Sequence, residues 1–261
     1  MRQSENLWRL CAAGALALTG ALLPENALAA ETQKSPSAAT AAPKVEPESL
    51  QALEKMGAYL RTLTSFELKS DTTEDAVLDN GQKVKFAGTV DYKVRRPNGF
   101  LIATSDDRRV RQFYYDGKKF TIYSPRMGFY ATVPAPPTIR ELLKVVYEKY
   151  DVQLPLEDLF RWGLQNDRRD QLDSGVVVGP AKIDGQDTDQ YAFREGDIDW
   201  QIWIARGNKP LPVRAVLTTT SDAAMPEYSA SLHWNTNATF SDDTFAFKPP
   251  AKAKPITIAS E

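Results

Sequence analysis

VKFAGTVDYKVRRPNGFLIATSDDRRVRQFYYDGKKFTIYSP, residues Val84–Pro125, is the stretch that decides the fold class. Val90, Tyr92, Val94 and Arg96 alternate with Asp91, Lys93 and Arg95, the period of a strand with two unlike faces. Asn98-Gly99 and Asp116-Gly117 interrupt the alternation, and such pairs suit the positive φ of tight hairpin turns. The strands read here are Val84–Arg96, Phe100–Ser105, Val110–Tyr115 and Lys119–Tyr123. They follow one another without space for a helix, which predicts an antiparallel sheet.

The pattern continues on both sides. Phe66–Asp71 is a strand that precedes the turn Asp79-Asn80-Gly81, and Phe129–Val133 is a further short strand stopped by Pro134, Pro136 and Pro137. Upstream, Pro47 suits a first helical turn, and Leu50, Leu53, Gly57, Leu60 and Leu63 fall near helical spacing. A helix over Pro47–Leu63 follows. Downstream, Thr138 stands three residues before Glu141, a helix-start pattern, and Ile139, Leu142, Leu143, Val146, Tyr147 and Tyr150 make one apolar stripe. Pro155 opens a shorter helix with Leu156, Leu159, Phe160 and Trp162. Strands then resume at Val176–Val178, Gln190–Phe193, Trp200–Ala205, Val213–Thr219 and Tyr228–Trp234. The order is a helix, a block of strands, a helical insert and a second block of strands.

The N-terminal residues have another character. Arg2 and Arg9 precede an Ala- and Leu-rich run from Leu10 to Leu23, and Ala27-Leu28-Ala29 supplies the small residues of a cleavage site. Residues 1–29 are expected to be a signal peptide, with the mature chain starting at Ala30 or Glu31. Cys11 lies ahead of most of the apolar run, which argues against lipidation, and it leaves with the signal. The mature chain then has no cysteine for a disulfide, a thiolate zinc site or a nucleophile. Residues 30–46, rich in Ala, Pro, Ser, Thr and Lys, read as a flexible linker.

The chain carries 42% hydrophobic residues, enough for a core, and a formal net charge of −2, which gives no pull toward nucleic acid. Arg108, Arg109 and Arg111 beside Phe113 and Tyr114 do not outweigh that balance. There is no G-x-S-x-G elbow, phosphate loop or G-x-G-x-x-G. His233 is the one histidine, on the polar side of its strand, so neither a histidine base nor histidine metal ligation is expected. Asp106-Asp107, Glu157-Asp158 and Asp242-Asp243 read as turn and cap residues, because neighbours on a strand face opposite ways. Asp184–Asp189 lacks the glycine and terminal glutamate of an EF-hand and reads as a hairpin turn. No metal, cofactor or catalytic residue is expected.

One face of the sheet is strongly apolar. Tyr228, Ala230, Leu232 and Trp234 share a side, as do Trp200, Ile202 and Ile204. Two readings of this face stay open from periodicity: a packed core under the helices, or a curved sheet that keeps a ligand cavity.

Four segments, in order, resemble the bacterial lipoprotein-carrier superfamily, the LolA and LolB folds. They are Leu63-Thr64-Ser65-Phe66, Gly88–Phe100 with Arg96-Pro97-Asn98, Tyr115-Asp116-Gly117-Lys118-Lys119 through Tyr123-Ser124-Pro125, and Phe245-Ala246-Phe247-Lys248-Pro249-Pro250. Within that superfamily the chain is similar to a branch of predicted periplasmic proteins of unknown function. The resemblance implies an α+β fold over residues 47–258: an unclosed antiparallel half-barrel around a hydrophobic cavity, lidded by an N-terminal helix and a helical insert. It implies that Arg96 holds the lid by bonding to helix backbone. The lid positions are Leu60, Leu63, Leu142, Val146, Tyr150 and Leu159. The ligand-facing positions are Val90, Tyr92, Val94, Arg96, Trp200, Ile202, Tyr228, Leu232 and Trp234. The expected function is a non-enzymatic, monomeric periplasmic carrier or chaperone for an acyl chain, lipid or lipoprotein anchor, with a membrane-bound protein as its further partner. The alternative is a sensor or protein-interaction module on the same fold.

Overall fold

The long hairpin of β1 (Ser65–Val77) and β2 (Lys83–Arg95) is the spine of the computed structural model, which describes residues 45–152, 154–155 and 171–258. One flank continues through β3 (Gly99–Asp106), β4 (Val110–Tyr115), β5 (Lys119–Ser124) and β6 (Phe129–Pro134). The second block supplies β7 (Ser174–Ile183), β8 (Gln186–Glu195), β9 (Ile198–Ala205), β10 (Pro212–Thr219) and β11 (Glu227–Asn235). A two-residue strand, β12 (Lys254–Pro255), closes the chain order. All twelve form one open sheet, β12-β6-β5-β4-β3-β2-β1-β11-β10-β9-β8-β7. Every pairing is antiparallel except β12 on β6. The fold is α+β, an unclosed and curved antiparallel sheet with helices, as expected.

The turns are where their residues require them. Asp116 Oδ1 accepts the N–H groups of Lys118 and Lys119 at 2.9 and 2.8 Å, and Gly117 takes φ 85°. Asp184 and Gly185, both at positive φ, join β7 to β8, so the acidic run is a hairpin.

Helix α1 (Pro47–Thr62) starts at its proline and buries Ser49, Leu53, Met56, Gly57 and Leu60. This stripe is rotated slightly from the expected one: Leu50 is half-buried, and Ser49 goes inside because its hydroxyl donates to Glu46 O at 2.7 Å. Val45 and Glu46, expected at the end of the linker, are part of the domain. Glu46 donates its N–H to Gly175 O at 2.7 Å, and its carboxylate accepts Val177 N–H at 2.8 Å. Helix α2 (Ile139–Tyr150) is capped by Thr138, whose hydroxyl accepts the Glu141 N–H. It buries Ile139, Leu142, Leu143 and Val146. The expected helix after Pro155, the signal peptide and residues 30–44 lie outside the described residues.

Strand β1 runs to Val77, six residues beyond its expected end, through Thr72-Thr73-Glu74-Asp75-Ala76. Such a run carries no apolar alternation, but it is paired on both sides. Thr73 shares a 2.7 Å hydrogen bond with Ser229. Asp75, 5% exposed, lies 2.8 Å from Lys85 Nζ and 3.3 Å from Lys83 Nζ and accepts the Glu227 N–H.

Burial raises the Asp75 carboxyl pKa, but the bonds from Lys85, Glu227 N–H and Lys83 prevail and hold it below the usual 3.8. Folding therefore favours the ionised form. That stability is present above the unfolded carboxyl's pKa and is lost as pH falls through the lower folded value. Asp75→Asn is expected to cost about 1–3 kcal/mol at neutral pH, shrinking in acid below both values. Urea unfolding at neutral and acidic pH checks this. A penalty of equal size at both would show that charge plays no part.

Candidate ligand cavity on the concave face

Alternation along every strand sends one set of side chains to the concave side. On β1 and β2 these are Phe66 and Leu68, and Val90, Tyr92 and Val94. On β3 they are Phe100 and Ile102, on β9 and β11 Ile202 and Leu232. Helices α1 and α2 cover this part, and Met56, Leu60, Leu63, Leu142 and Val146 join the same packed cluster. Thus Tyr92, Val94, Ile202 and Leu232, expected to face ligand, lie in close-packed interior with four expected lid residues on top.

Trp200 is half-buried and stacks on Phe193 at 4.3 Å between centroids. Trp234, also half-buried, donates its indole N–H to Pro212 O at 2.7 Å and packs on Phe66. Tyr150 is half-buried beneath the Lys149 ammonium. Leu159 and Trp162 lie outside the described residues.

Arg96 follows the end of β2. Its N–H donates to Thr64 O at 2.7 Å, just past α1. The guanidinium is largely buried, and burial, then Arg140 on α2 and Arg61 on α1, lower its pKa. Arg140 of α2 and Arg61 of α1 are close enough to act on it, so this corner of the fold is strongly cationic.

Among the described residues, α1 and α2 do not cover the remainder of the concave face. A cavity of about 700 Å³ opens over β4, β5 and β6, lined by Phe113, Ile122, Phe129 and Ala131. The end of α2 with Tyr147, Asp151 and Val152 forms one wall, and Ile256–Ile258 after β12 form another. A second cavity of about 200 Å³ lies over the far ends of β1, β2 and β3. Phe86, Gly88, Val90 and Thr104 form its floor, Leu217 and Tyr228 one side, and Glu74, Asp106 and Arg109 its rim. Val90 and Tyr228 are the expected ligand-facing residues that reach it. Gly88 is required there: a Cβ would come within 2.8 Å of Ser105 O and 3.3 Å of Thr72 Oγ1. Arg111 and Phe113 line both cavities.

Sequence reading missed the larger cavity. Its signal was present in β4 and β5, where Arg111, Phe113 and Tyr115, and Phe120, Ile122 and Ser124, alternate as the β2 file does.

Glu157-Asp158 lies outside the described residues, and the remaining motifs make turn, pairing and packing contacts. Asp106 Oδ1 accepts the N–H groups of Arg108 and Arg109. Asp242 pairs with Arg95 and Asp243 with Lys248. The closing Phe-x-Phe places Phe245 in the interior against Gly99, while Phe247 packs among Tyr114, Tyr123 and Tyr130. His233 is exposed, 3.5 Å from Asp71. Among the described residues no group of three or more His, Cys, Asp or Glu is placed to hold a metal ion. No described helix is long and apolar enough to cross a membrane.

Comparison with solved structures finds distant likenesses. The chain is similar to the lipoprotein LppX of Mycobacterium tuberculosis, with 14% identity, 74% of this chain and 98% of that chain covered, and a TM-score of 0.47. It is similar to LprF of Mycobacterium bovis, with 13% identity, 81% and 100% covered, and a TM-score of 0.42. It is also similar to a LolA superfamily protein of Nitrosomonas europaea, with 11% identity, 76% and 97% covered, and a TM-score of 0.33. None of the curated proteins matches the chain. The family model described as "Predicted periplasmic protein (DUF2092)" matches residues 49–259. The chain belongs to that family of predicted periplasmic proteins.

Proposed function

We propose that this protein is a non-enzymatic periplasmic carrier or chaperone that shelters the apolar part of a lipid, acyl chain or lipoprotein anchor. The observation that carries the reading is the cavity of about 700 Å³ that α1 and α2 leave open on the concave face. Its walls are mostly apolar, and its size lies within the range of small-ligand sites, about 300–1,000 Å³. Burying each methylene there contributes about 0.8 kcal/mol, so a long chain is held without covalent chemistry. The family's periplasmic description supports the compartment. Residues 1–29 are proposed to be the signal that delivers the chain there, and the mature protein to act as a monomer with a membrane-bound partner.

Native mass spectrometry of protein purified from periplasm tests this. The expected result is a mature mass starting at Ala30 or Glu31, with a non-covalent lipid adduct. Mature protein that carries no adduct and takes up no added lipid would overturn the carrier reading. A protein-interaction or sensor module is the second reading. It is favoured by β7, an edge strand on which Val176 and Val178 are 40% and 53% exposed.

A further inference from the structure

We propose that Arg111 anchors the anionic head of an amphiphile whose chain lies in the larger cavity. The inference rests on the carrier reading and adds the chemical class of the ligand: a long apolar chain ending in a carboxylate or phosphate.

Arg111 is a charged residue in an apolar file. It shares the concave side of β4 with Phe113 and Tyr115, which are 4% and 0% exposed, and it stands opposite Thr104 of β3. It borders both cavities, so its guanidinium marks the junction between them. It makes no hydrogen bond or ion pair with any described residue.

The carboxylates of the two cavities do not neutralise it. Asp106 is bonded to the N–H groups of Arg108 and Arg109 and lies 3.9 Å from Arg109 Nε. Glu74 lies 3.7 Å from Arg108, whose guanidinium also sits 3.9 Å over the Phe86 ring. Asp75 is held by Lys83 and Lys85. Asp151, in the wall of the larger cavity, and Glu227, in that of the smaller, form no ion pair with Arg111.

A guanidinium offers a planar fork of donors that matches a carboxylate or phosphate with two parallel hydrogen bonds. Here the fork stands at the solvent-facing mouth of an apolar cavity. A head group bound to it keeps contact with water, and the attached chain runs past Phe113 and Ile122 toward Phe129 and Ala131.

The test is displacement of N-phenylnaphthylamine, a neutral fluorophore, from the full mature protein. Palmitate and hexadecyl phosphate compete in separate arms against methyl palmitate, the uncharged twin, and against acetate and inorganic phosphate. Wild-type protein is expected to prefer the charged amphiphiles over the ester by about tenfold or more, the worth of a hydrogen bond to a charged group. Arg111→Gln is expected to bring the ratio of acid to ester affinity down to about one. Arg111→Lys is expected to retain part of the preference.

Equal affinity of acid and ester in the wild type, or a preference that survives Arg111→Gln, would overturn the anchor while leaving the carrier reading intact. Displacement by acetate or phosphate as effective as by palmitate would mark a site for free anions and overturn it as well. If neither acid nor ester displaces the fluorophore, the carrier reading fails and the anchor with it.

Discussion

The Ser124→Trp protein is expected to lose roughly tenfold or more of its affinity for a neutral hydrophobic fluorophore, about 1.4 kcal/mol or more, with its thermal midpoint little changed. Ser124 is the last residue of β5, and the alternation Phe120, Ile122, Ser124 points it to the concave side, where it lines the larger cavity. Its carbonyl accepts the N–H groups of Met127 and Gly128, a turn that a new side chain does not touch. An indole at this position would project into space now empty and occupy the volume a ligand needs. Cavity filling costs stability where side chains already pack, and here they do not. Fluorescence titration and thermal unfolding of both proteins decide the matter. Unchanged fluorophore affinity would mean that the cavity over β4, β5 and β6 is not the binding site.

The Phe100→Ala protein is expected to be less stable by about 3–5 kcal/mol, the range for emptying a buried aromatic site. For a domain of this size that lowers the thermal midpoint by roughly 6–20 °C. Phe100 is fully buried on β3. Its ring lies 5.3 Å from that of Tyr115 and 6.3 Å from that of Phe120, and it pairs in register with Val94. Tyr115 is fixed in turn, because its hydroxyl donates to Pro136 O at 2.5 Å. Burial, with Glu141 and Asp116 nearby, pushes its phenol pKa far up, so the hydroxyl stays a donor at any ordinary pH. With these neighbours held in place, little can collapse into the vacated space, which puts the cost at the upper part of the range. Thermal unfolding followed by circular dichroism measures it. A midpoint within a few degrees of the wild type would show that the rings of β3, β4 and β5 are not the core. Phe100 and Ser124 lie on the same concave surface. One substitution is predicted to damage stability and the other binding, because helices cover the first and leave the second open.

That division was the part of the site that periodicity did not reveal. Alternation in β2, β9 and β11 correctly marked one side of the sheet as apolar, and Val90, Tyr92, Val94, Ile202 and Leu232 all point inward. Which inward residues meet helix and which meet a cavity depends on where α1 and α2 cross the sheet. That is set by contacts between segments far apart in the chain. Tyr92 and Val90 are two residues apart on one strand, yet Tyr92 is fully buried in packed interior while Val90 borders the smaller cavity. Arg111 was legible as a basic residue beside aromatics. Its place at the junction of two cavities required the pairing of β3 with β4 and the arrival of α2 and the C-terminal residues from elsewhere.

What the sequence determined by itself is local. Asp116-Gly117 and Asp184-Gly185 make tight turns, in which Gly117, Asp184 and Gly185 take positive φ. Pro47 and Thr138 start helices because a proline has no N–H to lose and a hydroxyl replaces a missing acceptor. Period-two alternation makes antiparallel strands. The tertiary structure alone decided the rest. It extended β1 through a polar run by pairing it on both edges with β2 and β11, and it joined two strand blocks separated by the helical insert into one sheet. It also laid Lys254–Pro255 parallel to β6 beside the larger cavity. The physical reason is the same in each case. A strand edge is satisfied by any partner's N–H and C=O groups, so the choice among partners lies in the burial of the whole face and not in the residues of either strand.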